Sequence, residues 1–106
     1  MMYYTYMLRC EDNSVYTGIT NDVKRRFKEH CSGNGAKYTR SHKPVKIVAV
    51  FGSPDIESAA TLEYYIKALP KTDKEYIIQS KSINILKYVV DTEKYQYEGE
   101  FIDGYS

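Results

Sequence analysis

Three ionisable residues stand where helical periodicity calls for apolar ones. In "VKRRFKEHC", residues 23 to 31, the three-and-four spacing of a buried stripe selects positions 23, 26, 27 and 30. Val23 and Phe27 satisfy it. Arg26 and His30 do not, although Lys24, Arg25, Lys28 and Glu29 in the same stretch are free to face water. In a second helical stretch the stripe runs Ala59, Leu62, Glu63, Ile66, Leu69, apolar except for one carboxylate. A charge at such a position is costly unless something pairs with it or it sits at the rim of a cleft. One reading is a plain Arg26–Glu63 ion pair. The other, favoured because three such residues fall in one small domain, is that they converge on a shared concavity.

The chemistry of that set is specific. Arginine matches phosphate oxygens with a planar fork of donors. A lone glutamate suits Mg²⁺, which takes one or two carboxylates and completes its shell with water and substrate phosphate. The ion can then stabilise charge on a leaving oxygen. A phenol near a cation and an imidazole is biased toward phenolate and can take a proton from water, with His30 orienting that phenol or relaying its proton. Together these are the parts needed to hydrolyse a nucleic-acid backbone.

The elements that must position them follow from pattern. Tyr3 to Arg9 alternates without a breaker and reads as a strand, "CEDNS" as a turn, and Val15 to Ile19 as the returning strand of a β-hairpin. In an even register, Tyr4, Tyr6, Leu8 and Tyr16 share one face; an odd register sends Tyr16 to the other. Gly18 gives backbone freedom beside that face. Thr20, Asn21 and Asp22 offer caps for the first helix. "SGNGAKYTRSHKP" reads as a loop and "KIVAVF" as a buried third strand. Ser53, Pro54 and Asp55 open the second helix, which runs to about Leu69, and "TDKE" from Thr72 matches a capping box for a third. The stretches 83–90 and 95–102 fit strand or irregular structure equally. The expected architecture is α+β: a three-stranded antiparallel sheet flanked by about three helices, in a domain over 1–80, with 81–106 as an acidic extension of that domain or an appendage to it.

Bulk composition is consistent with this. The chain has 106 residues, 42% hydrophobic and 27% charged, which suits one soluble globular domain. No apolar run is long enough for a membrane span and no signal pattern opens the chain, so a reducing, cytoplasmic setting is expected, with Cys10 and Cys31 as thiols. The net charge of +1 conceals an asymmetry. Residues 22–46 carry eight basic side chains, among them Lys24, Arg25, Lys37 and Arg40, against two acids, whereas 91–106 carry five acids against one lysine. The basic segment has the composition of a polyanion-binding face. The acidic tail could cover that face or add an edge strand. Twelve tyrosines and no tryptophan supply phenols in excess.

"YTY" at residues 4–6 and "YTG" at 16–18 resemble the two halves of the GIY-YIG nuclease signature, followed at that family's spacing by Arg26, His30 and Glu63 before "YYIK". "SGNGAKYTR" further resembles small stand-alone members akin to the catalytic domain of the structure-specific nuclease Slx1. The resemblance spans roughly residues 2–79 and departs where Tyr-Thr-Tyr stands for Gly-Ile-Tyr. It implies one divalent ion, Mg²⁺ or Mn²⁺, on Glu63, the scissile phosphate on Arg26, and Tyr16 as general base supported by Tyr6 and His30. It also implies substrate contact by Lys37 and Tyr38 in the loop. No recognition domain accompanies the motif, which implies DNA chosen by backbone shape, branched or nicked as in repair and recombination, with further specificity left to a protein partner. The alternative of another class is a nucleic-acid-binding module of the same fold without turnover.

Overall fold

In the computed structural model, which describes residues 2–103, the first alternating run forms β1 (Tyr3–Cys10), which turns at Glu11–Ser14 into β2 (Val15–Thr20). Asn13 takes the left-handed conformation (φ 69°) that such a turn needs, one that asparagine tolerates better than most residues. The hairpin is antiparallel and pairs Tyr6 with Gly18 and Leu8 with Tyr16. This is the even register, so Tyr4, Tyr6, Leu8 and Tyr16 lie on one face.

Asp22 caps α1 (Val23–Cys31) by accepting from the Arg25 amide. Next comes α2 (Lys37–Ser41), inside a segment whose composition reads as loop. Its N-cap is Ala36, with no side-chain cap, and Thr39 is buried beneath it. Tertiary contact holds these five residues helical, and a five-residue element leaves no periodicity to read. β3 (Pro44–Ser53) pairs antiparallel with the other side of β1. An extra residue between the Met7–Ala49 and Leu8–Ile47 pairs makes a bulge, and Ile47 and Val50 thereby share a face. Asp55 caps α3 (Ile56–Ala68) through the Ser58 amide.

Then α4 (Lys71–Ser80) starts one residue before the expected capping box. Its N-cap is Pro70, without a side-chain bond, and Leu69 before the proline is extended (ψ 149°), which ends α3. Residues 83–90 are not a strand; they hold a 3₁₀ turn at Asn84–Leu86. After a second such turn at Thr92–Lys94, β4 (Gln96–Tyr97) joins β3 and α5 (Glu100–Asp103) follows. The sheet is therefore four-stranded, in the order β2-β1-β3-β4, where three strands were expected. The reason lies in the tail, whose backbone pairs with Phe51 and Gly52 at the edge β3 would otherwise leave open. The acidic tail thus lies along the opposite edge of the sheet from β2.

Two apolar clusters lie on the two faces. Against α3 and α4 pack Met7, Ala49, Phe51, Leu62, Ile66 and Ile77, joined by Ile83, Leu86 and Val90 from the tail. On the α1 face Tyr6, Leu8, Val23, Ile47 and Val50 form the second, flanked by Phe27, Phe101 and Ile102. Both cysteines are free, Cys10 buried and Cys31 exposed.

Candidate active site

Tyr6 and His30 are the core of the site. Tyr6 is 2% exposed and His30 1%, and the phenol oxygen lies 2.7 Å from the imidazole Nε2. The other ring nitrogen, Nδ1, lies 2.7 Å from the Thr39 hydroxyl, which itself donates to the Ala36 carbonyl at 3.0 Å. That donation uses the only threonine proton, so Thr39 must accept from Nδ1–H. A neutral ring protonated at Nδ1 leaves Nε2 bare, and Tyr6 donates into it. Burial, followed by the nearby Arg26 charge, pushes His30 down to about 4, so the neutral ring this chain requires is the stable one. Burial also raises Tyr6 well above the usual tyrosine range; Tyr16 and Glu63 add to the rise, and the Arg26 guanidinium beside it partly offsets it.

Two glycines make this packing possible. A Cβ at Gly18 would lie 2.6 Å from the Tyr6 hydroxyl and 3.0 Å from the Tyr16 ring. A Cβ at Gly35 would collide with the His30 ring and backbone, so the chain entering α2 crosses the imidazole only as glycine.

Tyr16 is half-buried at the open side of the cluster, its ring centroid 5.1 Å from His30 and 6.3 Å from Tyr6. Its hydroxyl has no hydrogen-bond partner among the described residues. The ring stacks against Tyr38 at 5.9 Å, and the Lys67 ammonium lies 5.7 Å over its centroid. Lys67 in turn pairs with Glu63 at 3.3 Å, one helical turn back. Since α3 packs on the far face of the sheet, this link shows how the carboxylate reaches the tyrosines: past β2, the edge strand. A second tie fixes α3, the buried Thr5 hydroxyl donating to the Ala59 carbonyl at 2.9 Å.

The Arg26–Glu63 ion pair is not formed. Arg26 bonds Glu29 at 2.9 Å, and Glu63 bonds Lys67. Both charges nevertheless act on Tyr6, so Arg26, His30, Glu63, Tyr6 and Tyr16 occupy one neighbourhood. Among the five residues expected to contact nucleic acid, Tyr38 lies against Tyr16, while Lys24, Arg25, Lys37 and Arg40 are exposed on α1 and α2.

A family model described as the GIY-YIG catalytic domain matches residues 2–77. The chain belongs to the GIY-YIG family. That family is one of nucleases, and this member resembles small UPF0213 proteins. It is 49% identical to UPF0213 protein FN1575 of Fusobacterium nucleatum over 89% of this chain and 93% of that protein. It is 39% identical to UPF0213 protein YazA of Bacillus subtilis over 74% and 80%. The solution NMR structure of UPF0213 protein BH0048 from Bacillus halodurans, 47% identical, is similar with a TM-score of 0.51, covering 76% of this chain and 86% of that one.

The GIY-YIG resemblance implies a divalent ion, and the donor set can be tested against it. Glu63 is 23% exposed, partnered by a surface lysine, and no group of three His, Cys, Asp or Glu gathers among the described residues. One partly exposed, hard carboxylate fits Mg²⁺ or Mn²⁺, which fill the rest of their shell with water and phosphate; it does not fit a structural zinc. Sequence reasoning missed Thr39 and Lys67. The Glu63–Lys67 spacing of four was the available signal for the second. Thr39, in a polar loop, gave none.

Proposed function

We propose that this protein is a metal-dependent endonuclease that hydrolyses DNA phosphodiester bonds, selecting backbone shape over base sequence. The observation that carries the reading is the convergence, at one edge of β2, of a guanidinium, a carboxylate and an unclaimed phenol hydroxyl beside a locked imidazole. In this reading Arg26 holds the scissile phosphate, exchanging Glu29 for phosphate oxygens. Tyr16, beneath the Lys67 ammonium, orients the attacking water and takes its proton as phenolate; the new P–O bond forms as the P–O bond to the leaving sugar breaks. Tyr6, donating to His30, stays protonated and fixes the wall against which Tyr16 packs. Glu63 would hold Mg²⁺ or Mn²⁺, whose charge would stabilise the leaving oxygen.

Incubating plasmid, flapped and nicked DNA with the chain and Mg²⁺ tests this. Cleavage is expected, abolished by EDTA and reduced about 10²-fold or more in Glu63→Gln. DNA that stays intact on every substrate, or cleavage indifferent to Glu63→Gln, overturns it. The Lys67 ammonium already on Glu63 is what a non-catalytic nucleic-acid-binding module would show, and binding without nicking would select that reading.

A further inference from the structure

Beyond Tyr16 the cleft does not close. A concavity of about 240 Å³ lined by Val15, Tyr16, Thr17, Tyr38, Lys67 and Lys74 adjoins a second of about 210 Å³ that reaches Asp12, Ser14 and Lys71. Val15, Tyr38 and Lys74 line both, so the two make one groove from the candidate site to the β1–β2 turn. One wall carries three lysines. Lys67 pairs with Glu63, and Lys71 donates to the Asn13 carbonyl at 2.7 Å. Lys74 is half-buried, and its side chain has no ion-pair or hydrogen-bond partner among the described residues. An ammonium at the groove wall with no anion of its own is available to an anionic ligand there. Along the groove runs an aromatic row: Tyr16 stacked on Tyr38, and Tyr38 on His42 at 4.0 Å and 14°. His42 is held by Asp12, the acid at the far end, whose charge the imidazole faces.

We infer that this groove binds a single-stranded nucleic-acid arm leading away from the scissile phosphate, its phosphates on Lys71 and Lys74 and the face of an unpaired base on the exposed edge of Tyr38, whose own faces are taken by Tyr16 and His42. A lysine-lined channel with aromatic rings is the pattern of single-strand binding, because phosphates need cations and every base has a face to stack. Two adjoining concavities suit successive units of one strand, and continuous duplex is the alternative that the test separates. The inference deepens the endonuclease reading, and rests on it for the direction of the strand only. It makes the preferred substrate one with a flap or splayed end. The sequence placed the basic contacts on α1 and α2; the groove adds α4, whose lysines lie outside the 22–46 cluster.

The test uses the full chain carrying Glu63→Gln, so that substrate survives, and a fluorescent 12-nucleotide single strand followed by anisotropy. Adding Lys71→Gln and Lys74→Gln is expected to weaken binding about tenfold and to lower the salt slope by about 1.4, two single-strand phosphate contacts. Lys87→Gln together with Lys94→Gln, an equal charge loss at two exposed lysines outside the groove, is expected to change neither. Tyr38→Ser is expected to weaken single-strand binding more than blunt-duplex binding, and circular dichroism confirms that each variant folds. Unchanged single-strand affinity in the double-lysine variant, or equal losses for duplex and single strand in Tyr38→Ser, overturns the groove and leaves the endonuclease reading standing. If DNA is never cleaved yet the lysine and tyrosine variants behave as expected, the groove stands and the catalytic reading falls.

Discussion

His30 carries the sharpest consequence of the site. It is neutral in the fold because burial, with Arg26 nearby, holds it at about 4, against about 6.5 for an unfolded histidine. Between those values the unfolded chain binds the extra proton and the folded chain does not, so this group's share of stability is full above pH 6.5 and shrinks as pH falls toward 4. From pH 7 to pH 5 the loss is about 2 kcal/mol, from a shift of 1.36 kcal/mol per unit. Urea midpoints at the two pH values should show it in the native chain and show little of it in His30→Gln; equal acid sensitivity in both would refute the neutral relay. His30 was legible in the sequence because it breaks a stripe, whereas Thr39, which decides the tautomer, follows no period. The sequence also could not tell the two phenols apart. The structure separates them by burial and hydrogen bonding: Tyr6 is buried and donates to His30, and Tyr16 is half-buried and lines the cleft without a hydroxyl partner among the described residues.

Among the elements, the hairpin and α3 have to agree on where Glu63 goes. The even register that puts Tyr16 beside Tyr6 came from side-chain alternation once one parity was assumed, and the structure has that parity. What aims α3 is less visible. The Thr5 hydroxyl, on the opposite face of β1 from Tyr6, bonds the Ala59 carbonyl, the same carbonyl that a regular helix offers to the amide of Glu63. Thr5→Val removes only that hydroxyl's bond and should cost about 1 kcal/mol. It should also lower the rate of DNA cleavage more than the affinity, since a helix free to rotate carries its carboxylate off target. A rate unchanged at equal folded fraction would show that packing of Leu62 and Ile66 alone orients α3. Such cross-element bonds depend on tertiary approach, which no local pattern encodes. The same reason hid α2, held by contacts around Thr39, and the fourth strand, whose two residues are set by the edge they meet.

For the whole molecule, the family match stops at residue 77 while the core does not. Ile83, Leu86 and Val90 are each at most 7% exposed inside the cluster that seats α3 and α4. Burying three aliphatic side chains contributes about 5–9 kcal/mol, comparable to the entire stability of a small domain. Residues 1–80 expressed alone should therefore lack a cooperative thermal transition, whereas the full chain should show one; a sharp melt for the fragment would mean the tail is dispensable. The acidity of the tail was the feature composition made prominent. Its three spaced aliphatics, too few to establish a period, attach it to the core, as β4 attaches it to the sheet.

The edge-strand position of Tyr16 has one more implication. Its neighbours arrive from a hairpin, a helix on one layer, a short helix over a glycine crossing and a helix on the other layer. No contiguous peptide owns the cleft. An engineer wishing to move this chemistry onto a new scaffold could not graft a loop; the transplant would have to be the folded frame itself.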